Sequence, residues 1–184
     1  GENCIVVAPG ANSTLSKKDI DYAIGEIKMS GIILMQLETP VDTILYAAKI
    51  GYEAGSRVIL NPAPAQKLPD ALYKYLYLIT PNETETEILT GVKVKNIMQA
   101  QEASRVFLKK GVQNVIITMG SKGAFLFNKD ESKLIPAEKV AAVDTTAAGD
   151  VFNGALCVAL AEGKKLPDAI AFGNKAAAIS VTRM

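Results

Sequence analysis

The sequence contains no histidine. That absence removes the side chain whose ordinary pKa lies nearest neutrality, and with it the Ser/His/Asp triad and the His-rich zinc sites. Any acid–base chemistry therefore falls to Asp, Glu, Lys or Tyr. Cysteine is scarce: Cys4 and Cys157 stand far apart and outside any metal-ligand spacing, so they read as buried or incidental thiols of a reducing compartment, and neither has an assigned role. An excess of charge of one sign is lacking too. Twenty basic residues face nineteen acidic ones, a formal net charge of +1, and no basic block exists of the kind that neutralises a phosphate backbone. Nucleic acid is not an expected partner. No apolar run approaches the roughly 18–20 residues of a membrane span, and the first residues do not read as a signal peptide, so a membrane is not expected either and the expected location is the cytoplasm.

What is present is a chain of 184 residues, 49% hydrophobic and 21% charged, enough to bury a sizeable core. Without an internal repeat, low-complexity tract or linker, residues 1–184 are expected to form a single domain. The chain starts at Gly1 without an initiator Met and stops at Met184 inside a helical pattern, so it is expected to be an excerpt of a longer protein. Short apolar runs rich in β-branched residues alternate with helix-period segments, the pattern of βαβ units around a mostly parallel sheet covered on both faces. Strands are expected at Cys4–Ala8, Ile32–Leu37, Arg57–Leu60, Tyr77–Thr80 and Val115–Thr118. The helix at Val41–Glu53 carries Val41, Ile44, Leu45, Ala48 and Tyr52 at 3.6-residue spacing with Gly55 as its stop, and Gln99–Lys110 repeats the device with Gly111. After Met119 the pattern changes to short strands, Ala124–Phe127 and Lys133–Ile135, predicting an antiparallel addition. Two further helices are expected at Val151–Glu162 and Asp168–Val181.

In open α/β sheets ligands bind at the carboxyl ends of the strands, beside helix N-termini, so segments there carry the functional reading. The sharpest is Val143-Asp144-Thr145-Thr146-Ala147-Ala148-Gly149-Asp150. Ala147, Ala148 and Gly149 have almost no side chain, so a phosphate can approach unpaired backbone N–H groups, with Asp150 placed to take a proton from an attacking hydroxyl. A plain helix start capped by Asp150 or Thr146 fits the same residues. Thr80-Pro81-Asn82-Glu83-Thr84-Glu85 offers Asn82 and Glu85 either to phosphate oxygens and a metal-bound water or to each other as a capping box. Thr118-Met119-Gly120-Ser121-Lys122-Gly123 is either a nucleotide-holding loop or a hairpin turn, and it is not a Walker A loop. Glu38, at the end of the Met35-Gln36-Leu37-Glu38 stretch, suits paired sugar hydroxyls or plain solvent, and Asn61-Pro62-Ala63-Pro64-Ala65 makes a rigid bend after a strand.

Taken together and in this order, Gln36-Leu37-Glu38, Asn61-Pro62-Ala63-Pro64, Pro81-Asn82-Glu83-Thr84-Glu85, Thr118–Gly123 and Asp144–Asp150 resemble the PfkB family of sugar and nucleoside kinases, along essentially the whole chain. The last stretch is similar to the family's Asp-Thr-x-x-(Gly/Ala)-Gly-Asp signature, with Ala148 where many members carry Gly. The Gln-Leu-Glu and Asn-Pro-Ala-Pro segments favour its ribokinase group. The resemblance implies a ribokinase-like three-layer α/β/α sandwich with a mostly parallel, Rossmann-like sheet, here without the family's N-terminal lid and extreme C-terminus. It implies ATP-dependent phosphorylation of D-ribose at its primary hydroxyl, with Asp150 as general base and the amides of Ala147, Ala148 and Gly149 as an anion hole. It implies that Asn82 and Glu85 serve phosphates and Mg²⁺, and that Thr118, Met119, Gly120, Ser121, Lys122, Gly123 and Asn174 contact ATP. Glu38 would contact the sugar, while Asp144, Thr146, Ser180 and Arg183 would surround a K⁺ site. A homodimer through the missing lid is also implied. Rival readings are another kinase of the family, acting on deoxyribose, fructose or a nucleoside, and a non-catalytic nucleotide-binding module.

Overall fold

The computed structural model describes residue 8 and residues 10–183. The strand expected at Cys4–Ala8 therefore lies outside the described residues, apart from Ala8. Among the described residues, six strands form one sheet whose spatial order follows the chain: β1 (Ile32–Met35), β2 (Arg57–Leu60), β3 (Leu78–Ile79), β4 (Asn114–Thr118), β5 (Ala124–Phe127) and β6 (Ser132–Ile135). The first four run parallel, and β5 and β6 are joined on by antiparallel pairings, β4 with β5 and β5 with β6, so the expected antiparallel addition begins after Met119.

Eight α-helices accompany the sheet: α1 (Lys17–Tyr22), α2 (Ile24–Met29), α3 (Val41–Glu53), α4 (Asp70–Tyr73), α5 (Glu83–Thr90), α6 (Ile97–Lys109), α7 (Ala148–Ala161) and α8 (Leu166–Ser180). Successive strand residues point to opposite faces, and the core divides accordingly. Val58, Leu60, Ile79, Val115, Ile117 and Phe125 face a cluster with Ile44, Ala48, Leu72, Ala103 and Phe107 from α3, α4 and α6. Ile59, Leu78, Ile116, Ala124 and Leu126 face Phe152, Leu156, Leu160 and Ile170 from α7 and α8. Burial on both faces is why the strands read as continuous apolar runs. The result is the α/β/α sandwich with a mostly parallel sheet. Fully burying an aliphatic or aromatic side chain stabilises by roughly 1.5–3 kcal/mol, so these two clusters carry the fold.

Where boundaries differ from expectation, a local reason is visible. Strand β1 stops at Met35 because the regular ladder ends there: the Asn61 N–H donates to the Met35 carbonyl at 2.9 Å, and the next bond, from the Leu37 N–H, skips to the Ala63 carbonyl at 2.9 Å. Helix α7 starts at Ala148 because Ala147, at φ 58°, turns the chain straight into it. Helix α6 starts earlier because the Asn96 side chain accepts the Gln99 N–H at 3.1 Å, and α8 starts at Leu166 because Pro167 is tolerated in a first turn. Helices α7 and α8 pack closely through Gly173, where an added Cβ would lie 2.9 Å from the Phe152 ring and 3.1 Å from its carbonyl oxygen. No helix among the described residues is long and apolar enough to cross a membrane.

Candidate active site

Parallel strands put all their carboxyl ends at one edge, and the residues after β1, β2 and β3 meet the N-terminus of α7 there. A cleft of about 410 Å³ opens at that meeting, floored by Leu34 and Met35 and lined by Gln36, Glu38, Asn61, Asp150 and Asn153. Glu38 and Asp150 are both exposed and share this cleft.

The loop carrying Gln36 and Glu38 is fixed from behind. Leu37 is buried, its N–H donates to the Ala63 carbonyl at 2.9 Å, and its own carbonyl accepts the Gln66 amide at 3.0 Å. The bend Asn61–Ala65, with a cis bond between Ala63 and Pro64, is thus the brace of this loop.

Asp150 stands in the first turn of α7. Ala147 is the only non-glycine residue with positive φ among those described, and no side chain caps the helix. Neither Asp150 nor Thr146 caps it, so that alternative falls away. The N–H groups of Ala147, Gly149 and Asp150 meet no acceptor among the described residues, while that of Ala148 reaches the Thr145 carbonyl at 3.3 Å. Orphan donors at a helix start are ordinary; three left open here, beside the small side chains of Ala147, Ala148 and Gly149, are free to meet an anion. A left-handed alanine costs of order 1–3 kcal/mol and persists where its surroundings hold it. What holds it is a pair of hydrogen bonds the sequence reading missed. Asn153, one turn along α7 and 2% exposed, donates to the Gly149 carbonyl at 2.9 Å and accepts the Thr80 hydroxyl at 2.7 Å. The first turn of α7 is thereby tied to the end of β3. A polar residue at a core position of an apolar helix was the available signal.

Asn82 and Glu85 form the capping box of α5: Asn82 Oδ1 accepts the Glu85 N–H and Glu85 Oε2 accepts the Asn82 N–H, each at 2.8 Å. Burial pushes the Glu85 carboxyl above its ordinary value, against the opposing donation from the Asn82 N–H. The two residues line neither cleft described here. Their remaining atoms, Glu85 Oε1 and Asn82 Nδ2, are left for other partners.

The loop Thr118–Gly123 is a single 3-10 turn between β4 and β5, closed by the Met119 N–H on the Gly123 carbonyl at 2.8 Å. Lys122 pairs with Glu83 at 3.3 Å, joining this loop to the start of α5. Gly123 has φ 107°, and a Cβ there would fall 2.1 Å from the Ile135 carbonyl oxygen. Asn174 donates from α8 to the carbonyls of Ile135 and Pro136 at 3.0 and 3.2 Å. The turn and Asn174 therefore converge on the same stretch, residues 135–137.

Asp144, Thr146, Ser180 and Arg183 line a second cleft of about 520 Å³. Asp144 Oδ1 accepts the Thr146 N–H at 2.8 Å, which holds its carboxyl below the ordinary value, so the residue caps its own turn. The N–H groups of Val143 and Asp144 donate to the Val181 carbonyl at 2.7 and 3.2 Å, lashing this loop to the end of α8. Among the described residues, no group of three or more carboxylates or thiols could cage a metal ion. Burial pushes the Cys157 thiol up to about 11, so it is not a nucleophile at neutral pH.

Comparison with known proteins bears on this geometry directly. The family model for pfkB family carbohydrate kinase matches residues 1–184. A ribokinase of Haemophilus influenzae is 50% identical over 182 residues, which cover 99% of this chain and 60% of that protein. A ribokinase structure from Thermotoga maritima is similar with a TM-score of 0.90 and 47% identity, covering 100% of this chain and 60% of the other. An Arabidopsis thaliana ribokinase structure complexed with ribose and ATP gives a TM-score of 0.90 and 32% identity at the same coverage. The chain thus spans about 60% of the length of these relatives. With the family model matching from end to end and the fold shared with the ribokinase structures, the chain belongs to the pfkB family of carbohydrate kinases.

Proposed function

We propose that the protein containing these residues transfers the γ-phosphoryl group of ATP to the primary hydroxyl of D-ribose. The observation that carries the reading is Asp150 beside open backbone donors, at the rim of the cleft that Glu38 shares. The hydroxyl oxygen attacks the γ-phosphorus, the bond from that phosphorus to the β-bridging oxygen breaks, and ADP leaves. Asp150 takes the hydroxyl proton. The N–H groups of Ala147, Gly149 and Asp150 meet the charge that gathers on the transferring oxygens, and they need no reorganisation to do so. Glu38 holds sugar hydroxyls across the cleft, and the Thr118–Gly123 turn with Asn174 supports the nucleotide.

Mg²⁺ fits this donor set. An ion that keeps most of its waters and binds phosphate oxygens needs one or two carboxylates, which Glu85 with Asn82 supplies; when bound, it neutralises phosphate charge. K⁺ fits the second cleft, whose oxygens come from Asp144 and the backbone around Thr146 and Ser180. A need for ATP supports a cytoplasmic location for the full-length protein.

The test is ADP release by the full-length protein against a panel of sugars and nucleosides. Ribose gives the highest kcat/KM under this reading. A preference for deoxyribose, fructose or adenosine would move the substrate within the family, and ATP binding without turnover of any acceptor would leave a nucleotide-binding module.

A further inference from the structure

We propose that Gln36 is the positioning residue of the base, acting on the reaction through Asp150; the inference rests on the function proposed above. Gln36 Nε2 donates to Asp150 Oδ1 at 2.5 Å, across 114 positions of sequence, and both residues line the same cleft. Both ends of this bond are mounted on fixed backbone. Gln36 precedes the buried Leu37, which is bonded through its N–H and its carbonyl to the 63–66 segment, and Asp150 belongs to the turn that Asn153 and Thr80 anchor.

A carboxylate on a short side chain turns freely about its last bond, a broad and roughly two-fold torsion, so an unheld Asp presents either oxygen in many planes. Tying Oδ1 removes that freedom. Oδ2, with no partner among the described residues, is left as the oxygen that accepts the hydroxyl proton. The choice of an amide is chemically apt. A lysine or arginine would hold the carboxylate as firmly, but its full charge would strongly oppose proton uptake, whereas a neutral donor orients with a smaller penalty and does not titrate. The bond joins two side chains at the cleft rim, where substitution changes stability little, so its consequence is directional.

The test uses the full-length protein with ribose and ATP. Gln36→Met keeps the length and removes the donor; kcat falls about 10–100-fold, both KM values stay within about threefold, and the thermal midpoint is unchanged. Gln36→Glu sets a carboxylate against Asp150, and the only other acid lining the cleft among the described residues is Glu38. The acid-side limb of its kcat/KM profile moves to higher pH, because two carboxylates at hydrogen-bond distance share a proton. In an Asp150→Asn background, Gln36→Met changes the residual rate by less than about twofold, the signature of two residues acting as one unit. An unchanged kcat in Gln36→Met, a loss carried by the ribose KM, or a loss that tracks the thermal midpoint would each overturn the positioning role while Asp150→Asn remains slow. A wild-type rate in Asp150→Asn would instead overturn the base assignment, and this proposal with it.

Discussion

Glu85 shows how one side chain serves two demands that conflict. As the third residue of α5 it accepts the Asn82 N–H at 2.8 Å, which favours its charged form, yet burial outweighs that donation and raises its pKa above the ordinary 4.5. Raised above the unfolded value, the group contributes stability that is fully present below about pH 4 and is lost as pH rises through the folded value. At neutral pH the ionised carboxylate is therefore a cost to the fold. Glu85→Gln keeps an acceptor for the cap and drops the buried charge, so its thermal midpoint at pH 8 should exceed that of the parent, with the advantage gone near about pH 4. Measured alongside, its rate at limiting Mg²⁺ should fall, because the amide cannot supply the charge a hydrated Mg²⁺ requires. A carboxylate kept at the expense of stability is what a functional position looks like. Cys157 illustrates the opposite case, a thiol pushed to about 11 that is simply packing.

At the scale of elements, α7 decides the site, and its placement depends on Asn153. That amide is 2% exposed and links the Gly149 carbonyl to the Thr80 hydroxyl. Asn153→Ala should cost about 1–3 kcal/mol in denaturant unfolding, since it leaves buried polar groups without partners. It should also lower kcat beyond what the lost stability explains, because the open amides of Gly149 and Asp150 then lose their aim. A normal rate per folded molecule would show that the turn holds itself. Much of this element was legible beforehand. The Ala-Ala-Gly-Asp run announced a helix start with bare backbone, and Val41–Glu53 and Arg57–Leu60 were read to the residue because periodicity and a stop signal agreed. The short helices α1, α2 and α4 were not read, for they span 6, 6 and 4 residues and are too brief to show a period. The pairs Gln36 with Asp150 and Thr80 with Asn153 were also beyond reach, being joined only by tertiary folding across 114 and 73 positions. Asn82 and Glu85 remained ambiguous between cap and ligand in the sequence; the fold makes them a capping box and leaves part of each side chain available.

For the whole molecule, the loop 143–147 and the start of α7 serve both clefts: Asp144, Thr146 and Val151 line one, Asp150 and Asn153 the other. Residues 143–147 are lashed to the end of α8 at Val181, turn on the Asp144 carboxylate, and deliver Ala147 into α7. A monovalent cation held among Asp144, Thr146 and Ser180 would stiffen that loop without touching substrate. Activity of the full-length protein should rise when K⁺ replaces Na⁺ at constant ionic strength, and Asp144→Ala should abolish the rise; equal rates in both salts would leave Asp144 as a turn cap alone. The central claim is that Asp150 is the base of a sugar kinase built on this sheet edge. It is tested most directly by ribose-dependent ADP release of the full-length protein and its Asp150→Asn variant, with ATP affinity measured in parallel. The account predicts a kcat lower by about 10²–10⁴-fold with ATP affinity nearly unchanged, since the amide keeps the shape and cannot take the proton. A variant that retains most of its kcat would contradict it.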